Sequence, residues 1–289
     1  MAFGEWKKVP GFEFKDIFYD KRYRDQGGAV ARILVNRPVT YNSFTGDTVE
    51  EIGLSLNDSS HDPLVGVVVI SGVGDHFGSG GDIGWEQAGG LRGSLSRKGI
   101  DDFIRMCRKP IIAMVKGYCI GGSHHFAYMC DFTIAADDSV FGQNGPRVGS
   151  PADGYYLPYL ARVVGAKKAR EMWMFARRYT AQEALQMGLA NKVVPRDKLE
   201  EEVDKWCEEL LSLSPDCIEV YKATFDQDIE YMAGMSGLHQ RLMLPWWHDS
   251  PALKEAGQAF VERREPNFWK HRMARAEAEE ALKFKPKKP

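Results

Sequence analysis

The sequence predicts an α/β protein built from buried strands that each run into a glycine-rich turn and then a helix. Two continuous apolar runs, Val65-Gly-Val-Val-Val-Ile-Ser71 and Ile111-Ile-Ala-Met-Val115, have the composition of strands covered on both faces. The first empties into Gly78-Ser-Gly-Gly-Asp82 and the second into a turn spanning Gly117 to Gly122. Strands that recur with helices between them require crossover connections, and so a stacked or mostly parallel sheet.

The elements follow in order. Residues 29–36 form a β-branched strand stopped by Arg37-Pro38. Thr45 to Asn57 is expected to be helical, with Val49, Ile52, Leu54 and Leu56 apolar. After the strand at Val65 and its glycine loop, helical sequence from Gly99 to Cys107 leads through Lys109-Pro110 into the strand at Ile111. The second glycine turn is followed by the apolar stretch Phe126 to Cys130, then by short strands at Phe132 to Ala135 and Val140-Phe141. From about Ala166 the pattern turns helical, with segments at Ala166–Ala176, Ala181–Met187, Leu199–Leu213, Pro215–Asp228 and Gly237–Leu244. Thr180-Ala-Gln-Glu183 matches a capping box.

Composition narrows the function classes. A chain of 289 residues with 44% hydrophobic content can bury a large core plus a helical appendage. The formal charge of -2, from 38 basic and 40 acidic residues, gives no broad electrostatic reason to bind nucleic acid or an anionic membrane. Five cysteines, an odd number without a C-x-x-C pair, suggest neither a disulfide framework nor a zinc site. No apolar leader opens the sequence and no apolar run reaches membrane-spanning length, so a cytoplasmic location is expected.

The two glycine turns are the candidate chemistry. Small residues where a strand gives way to a helix let a ligand oxygen approach the backbone. Amides from Phe77-Gly-Ser-Gly-Gly-Asp82 and Tyr118-Cys-Ile-Gly-Gly-Ser123 can converge on one developing oxyanion, such as a thioester carbonyl becoming an enolate. A glycine pair after a strand also serves as a plain tight turn. The Lys-Ser/Thr ending of a phosphate loop is absent, and the spacing does not fit the dinucleotide fingerprint.

These turns, in this order and separation, resemble the crotonase (enoyl-CoA hydratase/isomerase) superfamily, together with Asn36-Arg-Pro38, Tyr41-Asn-Ser-Phe44, Lys109-Pro-Ile-Ile-Ala113, Cys130-Asp131 and Ala181 to Leu189. The resemblance runs from about Phe12 to His271. It implies a ClpP-like ββα spiral core over residues 12–195, a C-terminal helical lid or trimerisation region over 196–272 and a basic tail over 273–289. It also implies a homotrimer or homohexamer that binds an acyl-CoA, with no metal and no cofactor beyond the coenzyme A of the substrate. By position, Gly81 and Gly122 match the two oxyanion donors.

Hydratases of this superfamily use two glutamates to add water; here His125 and Gly145 stand in their places. The stretch Phe141-Gly-Gln-Asn-Gly-Pro-Arg-Val-Gly-Ser150 with Gly154-Tyr155 is similar to the branch of 1,4-dihydroxy-2-naphthoyl-CoA synthase and 2-ketocyclohexanecarboxyl-CoA hydrolase. A related ring-opening family, 6-oxocyclohex-1-ene-1-carbonyl-CoA hydrolase, shares the Tyr41-Asn42-Ser43 style of turn. Ala152 replaces the carboxylate of the synthase pattern, with Asp153 one residue later, and Trp246-Trp247-His248 replaces its C-terminal tyrosine. The expectation is therefore hydrolytic carbon-carbon cleavage of an alicyclic oxoacyl-CoA. The alternatives are the synthase, an enoyl-CoA hydratase/isomerase and a non-catalytic homologue.

Ser150, Asp153 and His125 are the candidates for orienting or deprotonating water. Adjacent histidines cannot share a helix face, so His125 is taken as inward-facing and neutral, with His124 in packing. Gln143 and Gly145 match a small-anion spot of the synthase branch, while Trp247 and His248 can cap the substrate. Asp82 and Ser79 shape the adenine end of the coenzyme A site, and Trp85 with the stretch Glu86 to Gly93 is expected to form a mobile loop over the acyl group. Tyr41, Gly80, Ile83 and Tyr155 complete the expected substrate contacts.

Overall fold

Alternating side chains divide the apolar residues of one sheet between two cores. In the computed structural model, which describes residues 3–90, 99–151, 154–233, 249–270, 273–274 and 277, seven strands form that sheet. They are β1 (Lys7–Lys8), β2 (Ile17–Tyr23), β3 (Ala29–Val35), β4 (Val65–Gly72), β5 (Ile111–Val115), β7 (Phe132–Ala136) and β10 (Lys192–Val194). From β3 to β10 neighbours are parallel; β1, β2 and β3 pair antiparallel at the other edge. A second sheet holds β6 (Tyr118–Ile120), β8 (Val140–Gly142) and β9 (Arg178–Thr180).

Ala31, Ile33, Val68, Ile70, Ala113 and Val115 point to one face, where α1 (Gly46–His61) supplies Ile52 and Leu56 and α3 (Ile100–Met106) supplies Ile100 and Ile104. Val30, Val67, Val69, Ile112 and Met114 point to the other, covered by Leu199, Val203 and Cys207 of α9 (Leu199–Leu211). A continuous apolar run is what such a doubly covered parallel strand requires. Leu54, one of the apolar residues of α1, is 48% exposed, since α1 buries its serines at 55, 59 and 60 beside Ile52 and Leu56.

The remaining helices are α2 (Ile83–Gln87), α4 (Gly122–Met129), α5 (Gly145–Val148), α6 (Tyr156–Val164), α7 (Ala166–Phe175), α8 (Ala181–Gln186), α10 (Pro215–Ala233) and α11 (Pro251–Val261). The capping box forms at α8: the Thr180 hydroxyl accepts from the Glu183 amide at 3.2 Å, and the Glu183 carboxylate accepts from the Thr180 amide at 2.8 Å. The part after Ala166 is less uniformly helical than its sequence suggests, because β9 and β10 return to the two sheets. The expected segment at Gly237–Leu244 lies outside the described residues. Buried Lys222 of α10 reaches Asp131 at 2.6 Å, whose carboxylate also accepts from the Ile111 amide at 2.7 Å, fastening the helical part to β5. At the other end, α11 packs on α2 and α5.

Candidate active site

The glycine loop after β4 is held by backbone pairing on both sides. Gly78 bridges to Cys119 and Phe44 bridges to Gly81, both in parallel sense. In the second bridge the Phe44 amide donates to Gly80 at 3.0 Å and the Asp82 amide donates to the Phe44 carbonyl at 2.9 Å. The pairing uses the groups on either side of Gly81, so the Gly81 N–H itself points away from it. The Gly80 amide is already spent on Ser123 Oγ at 3.1 Å.

The second donor arises from a helix start. Gly121 adopts φ +60°, and its amide donates to the Gly142 carbonyl at 3.0 Å. Gly122 is the first residue of α4, where no intrahelical acceptor exists and the helix dipole is positive. The Gly81 nitrogen lies 3.8 Å from the position that a Gly122 Cβ would occupy, so the two amides face one small space. Neither donates to another group among the described residues. Any side chain at Gly122 would overlap Phe44 Cζ, and one at Gly81 would collide with Glu86 Oε1. A side chain at either place would have to displace its neighbour, the Phe44 ring at 122 or the Glu86 carboxyl at 81.

Beside these amides opens a cavity of about 560 Å³, lined mainly by apolar groups that include Phe44, Trp85, Phe103, Phe126 and Tyr156, with His125 among them. His125 is sandwiched near Tyr156 (ring centroids 4.7 Å) and Trp173 (5.2 Å). Its Nε2 lies 3.3 Å from Gln143 Oε1, and Gln143 Nε2 lies 2.8 Å from His124 Nδ1. An amide NH₂ only donates and an amide oxygen only accepts, so this chain fixes both tautomers. His124 accepts at Nδ1. His125 carries its proton on Nε2 and keeps the Nδ1 lone pair for an incoming proton. Burial lowers the His125 pKa to about 4, against the opposing effect of the Gln143 hydrogen bond. His124 is pushed down further by burial, with His125 and Arg178 adding to it. His125 lines the cavity, and His124 is packed between Tyr128 and Phe141. What the sequence did not convey is that one glutamine side chain serves both rings.

Other expected contacts are placed as follows. Asp82 caps α2 by accepting from the Trp85 amide at 3.0 Å, and Arg37 (2.9 Å) and Ser43 (3.2 Å) bind the same carboxylate. Burial opposes ionisation there, but the Trp85 amide and Arg37 outweigh it and hold the pKa below the usual range. Ser79 Oγ donates to the Thr40 carbonyl at 3.1 Å, and Ile83 opens α2. Tyr41, left-handed at φ +53°, lies outside this cavity beside His76 and Tyr118. The Ser150 amide donates to the Gly145 carbonyl at 3.0 Å, and the Ser150 carbonyl fills the space a Gly145 side chain would need. Tyr155 is 2% exposed and sits in the core. Its neighbour Tyr156 lines the cavity instead, donating its hydroxyl to Asp101. Asp153, Trp247 and His248 lie outside the described residues.

The expected mobile loop from Glu86 to Gly93 needs correction in its first part. Glu86 and Gln87 belong to α2, formed because Asp82 supplies an N-cap; residues 91–93 are not described. Glu86 is largely buried, and burial first, then the nearby Asp82 charge, raises its pKa to about 7. Its carboxyl makes no hydrogen bond or ion pair among the described residues. Sequence reasoning gave it no role. The available signal was two acids, Asp82 and Glu86, one helical turn apart, a repulsive spacing on a solvated helix.

A parallel-sheet core that brings two free amides together beside Phe44, a wall of the apolar cavity that His125 lines, defines a class of protein that can hold a carbonyl as it becomes an anion. The enoyl-CoA hydratase/isomerase family model matches residues 25–272, and the chain belongs to that family, whose members act on acyl-CoA. Solved relatives agree. An enoyl-CoA hydratase from Mycobacterium avium subsp. paratuberculosis is 28% identical, with TM-score 0.74 and coverage of 89% of this chain and 99% of that one. An enoyl-CoA hydratase/isomerase from Xanthobacter autotrophicus is 26% identical, with TM-score 0.74 over 86% and 94%. A methylmalonyl-CoA decarboxylase in complex with 2-nitronate-propionyl-CoA is 26% identical, with TM-score 0.73 over 89% and 99%. Among the described residues no helix is long and apolar enough to cross a membrane.

Proposed function

We propose that this family member hydrolyses a carbon-carbon bond in the ring of an alicyclic oxoacyl-CoA. The observation that carries the reading is His125, a neutral base facing an apolar cavity beside the paired amides. Where hydratases of the superfamily carry their second glutamate stands Gly145, whose side-chain space is filled by the Ser150 carbonyl. That spot cannot hold a carboxylate, which disfavours simple hydration.

Water gives a proton to His125 Nδ1 as its oxygen attacks the ring carbonyl. The tetrahedral adduct then collapses, breaking the bond between that carbon and the thioester Cα. The bonding pair becomes the thioester enolate, whose oxygen rests on the Gly81 and Gly122 amides. The ring carbonyl leaves as a carboxylic acid, which ionises, and Cα takes up a proton.

Mass spectrometry of cyclic oxoacyl-CoAs incubated in ¹⁸O-labelled water tests this. One added water with the label in the new carboxylate is expected. Rings left intact while linear enoyl-CoAs are hydrated would return the chain to the chemistry named for its relatives. Closure of succinylbenzoyl-CoA would favour the synthase. His125→Gln can still offer an amide donor to Gln143 but no base, and is expected to lower kcat by about 10²-fold. Because the base must be unprotonated, wild-type activity falls as pH drops through about 4, and a pH-rate profile checks for that limb.

A further inference from the structure

The enolate left by ring opening needs a proton at Cα, and two groups can hold one at that point: His125, which has taken a proton from water, and Glu86, which lies beside Gly81. Glu86 is placed for the task. Its Oε1 occupies the space beside the Gly81 Cα that any side chain at that position would take, so the carboxyl lies against the backbone of one oxyanion residue, with Phe44 of the cavity wall on the same side. It is carried there by α2, which Asp82 caps and which α11 covers from behind. Among the described residues no cation or donor engages it. We propose that Glu86 is the acid that protonates the enolate carbon, an assignment that rests on the enolate-forming reading given above.

The proton count closes. His125 takes one proton from water as the hydroxyl joins the ring carbonyl; Glu86 gives one to Cα and is left as carboxylate. The new carboxylic acid loses its proton, His125 returns its own to solvent, and Glu86 regains one. The sum is one water consumed and one proton released.

Protonation of Glu86 near neutrality suits this work. Burial raises its pKa to about 7, helped by the Asp82 charge. The titratable groups around it are Asp82, whose carboxylate Arg37 and Ser43 bind, and, across a cavity between α2 and α11, Asp249, Lys254 and Glu262. Two opposite pH dependences follow. Ring opening needs the acid form and falls as pH rises through about 7. The reverse step, removal of a Cα proton, needs the carboxylate and rises over the same interval.

The test is deuterium exchange at Cα of cyclohexanecarboxyl-CoA in D₂O, which requires the amide pair and a Cα base but no ring cleavage. Wild type is expected to exchange the single Cα hydrogen, and Glu86→Gln, which preserves shape, to be slower by about 10²-fold with the limb near neutrality gone. Unchanged exchange in Glu86→Gln, or none in the wild type, overturns the assignment. If Glu86→Gln does not fold, Glu86→Asp decides: the limb must move with the new carboxyl, and a limb left in place overturns the role. Exchange that depends on Glu86 without any ring opening keeps Glu86 as the Cα group while removing the ring-hydrolase reading.

Discussion

Proline at position 122 in a Phe44→Ala background lowers kcat by about 10² to 10³-fold relative to Phe44→Ala alone, roughly 3 to 4 kcal/mol of transition-state stabilisation. Proline removes an N–H that the helix start leaves without a partner, and the first helical position is where its ring is best tolerated. The Phe44→Ala background is needed because any Cβ at 122 overlaps Phe44 Cζ. Without it a fall in rate would mix lost hydrogen bonding with displaced packing. Coenzyme A affinity measured calorimetrically is expected to stay within a few-fold, since the amide acts on charge that develops after binding. Equal kcat in the two proteins would remove Gly122 from the oxyanion role.

Replacement of Phe141 by alanine is expected to lower unfolding free energy by about 3 to 5 kcal/mol. The ring is completely buried in β8, which lies between β6 and β9, and it packs against His124 at a centroid distance of 5.9 Å. That position ties stability to chemistry, because Gln143 follows β8 almost at once and depends on it for reach to both histidines. Urea denaturation followed by circular dichroism measures the loss. A change below about 1 kcal/mol would mean that the small sheet closes around the void.

The strands legible in the sequence were those whose composition leaves little choice. Val65–Gly72 and Ile111–Val115 are apolar on both faces because helices cover both, and the fold matches that expectation. Tyr118–Ile120 was hidden, a three-residue strand between glycines that forms only because β8 pairs with it. Arg178–Thr180 and Lys192–Val194 were concealed in the same way, each too short to show a period and each defined by a partner distant in sequence. Tyr156–Val164 was missed because its third residue is proline, acceptable in a first turn where no intrahelical amide bond is lost.

The site was legible in its backbone and less so in its side chains. Paired glycines announce close approach, and the two turns do face each other. Tyr155 and Tyr156 look alike in sequence, yet the helix start at 156 sends one into the core and the other to the cavity. Glu86 sat in glycine-rich surroundings that read as loop, so its burial could not be anticipated without α11 packed behind it.

The hydrogen-bond chain through Gln143 makes the polarity of the cavity a property of its surroundings. His124 touches no part of that cavity, yet it takes the NH₂ end of the glutamine amide. The amide in turn dictates which nitrogen of His125 is bare. Were position 124 to carry a donor instead, the amide would reverse, and the same imidazole would offer the substrate a proton rather than a lone pair. In this chain the choice between giving and taking a proton is therefore written one residue away from the residue that performs it.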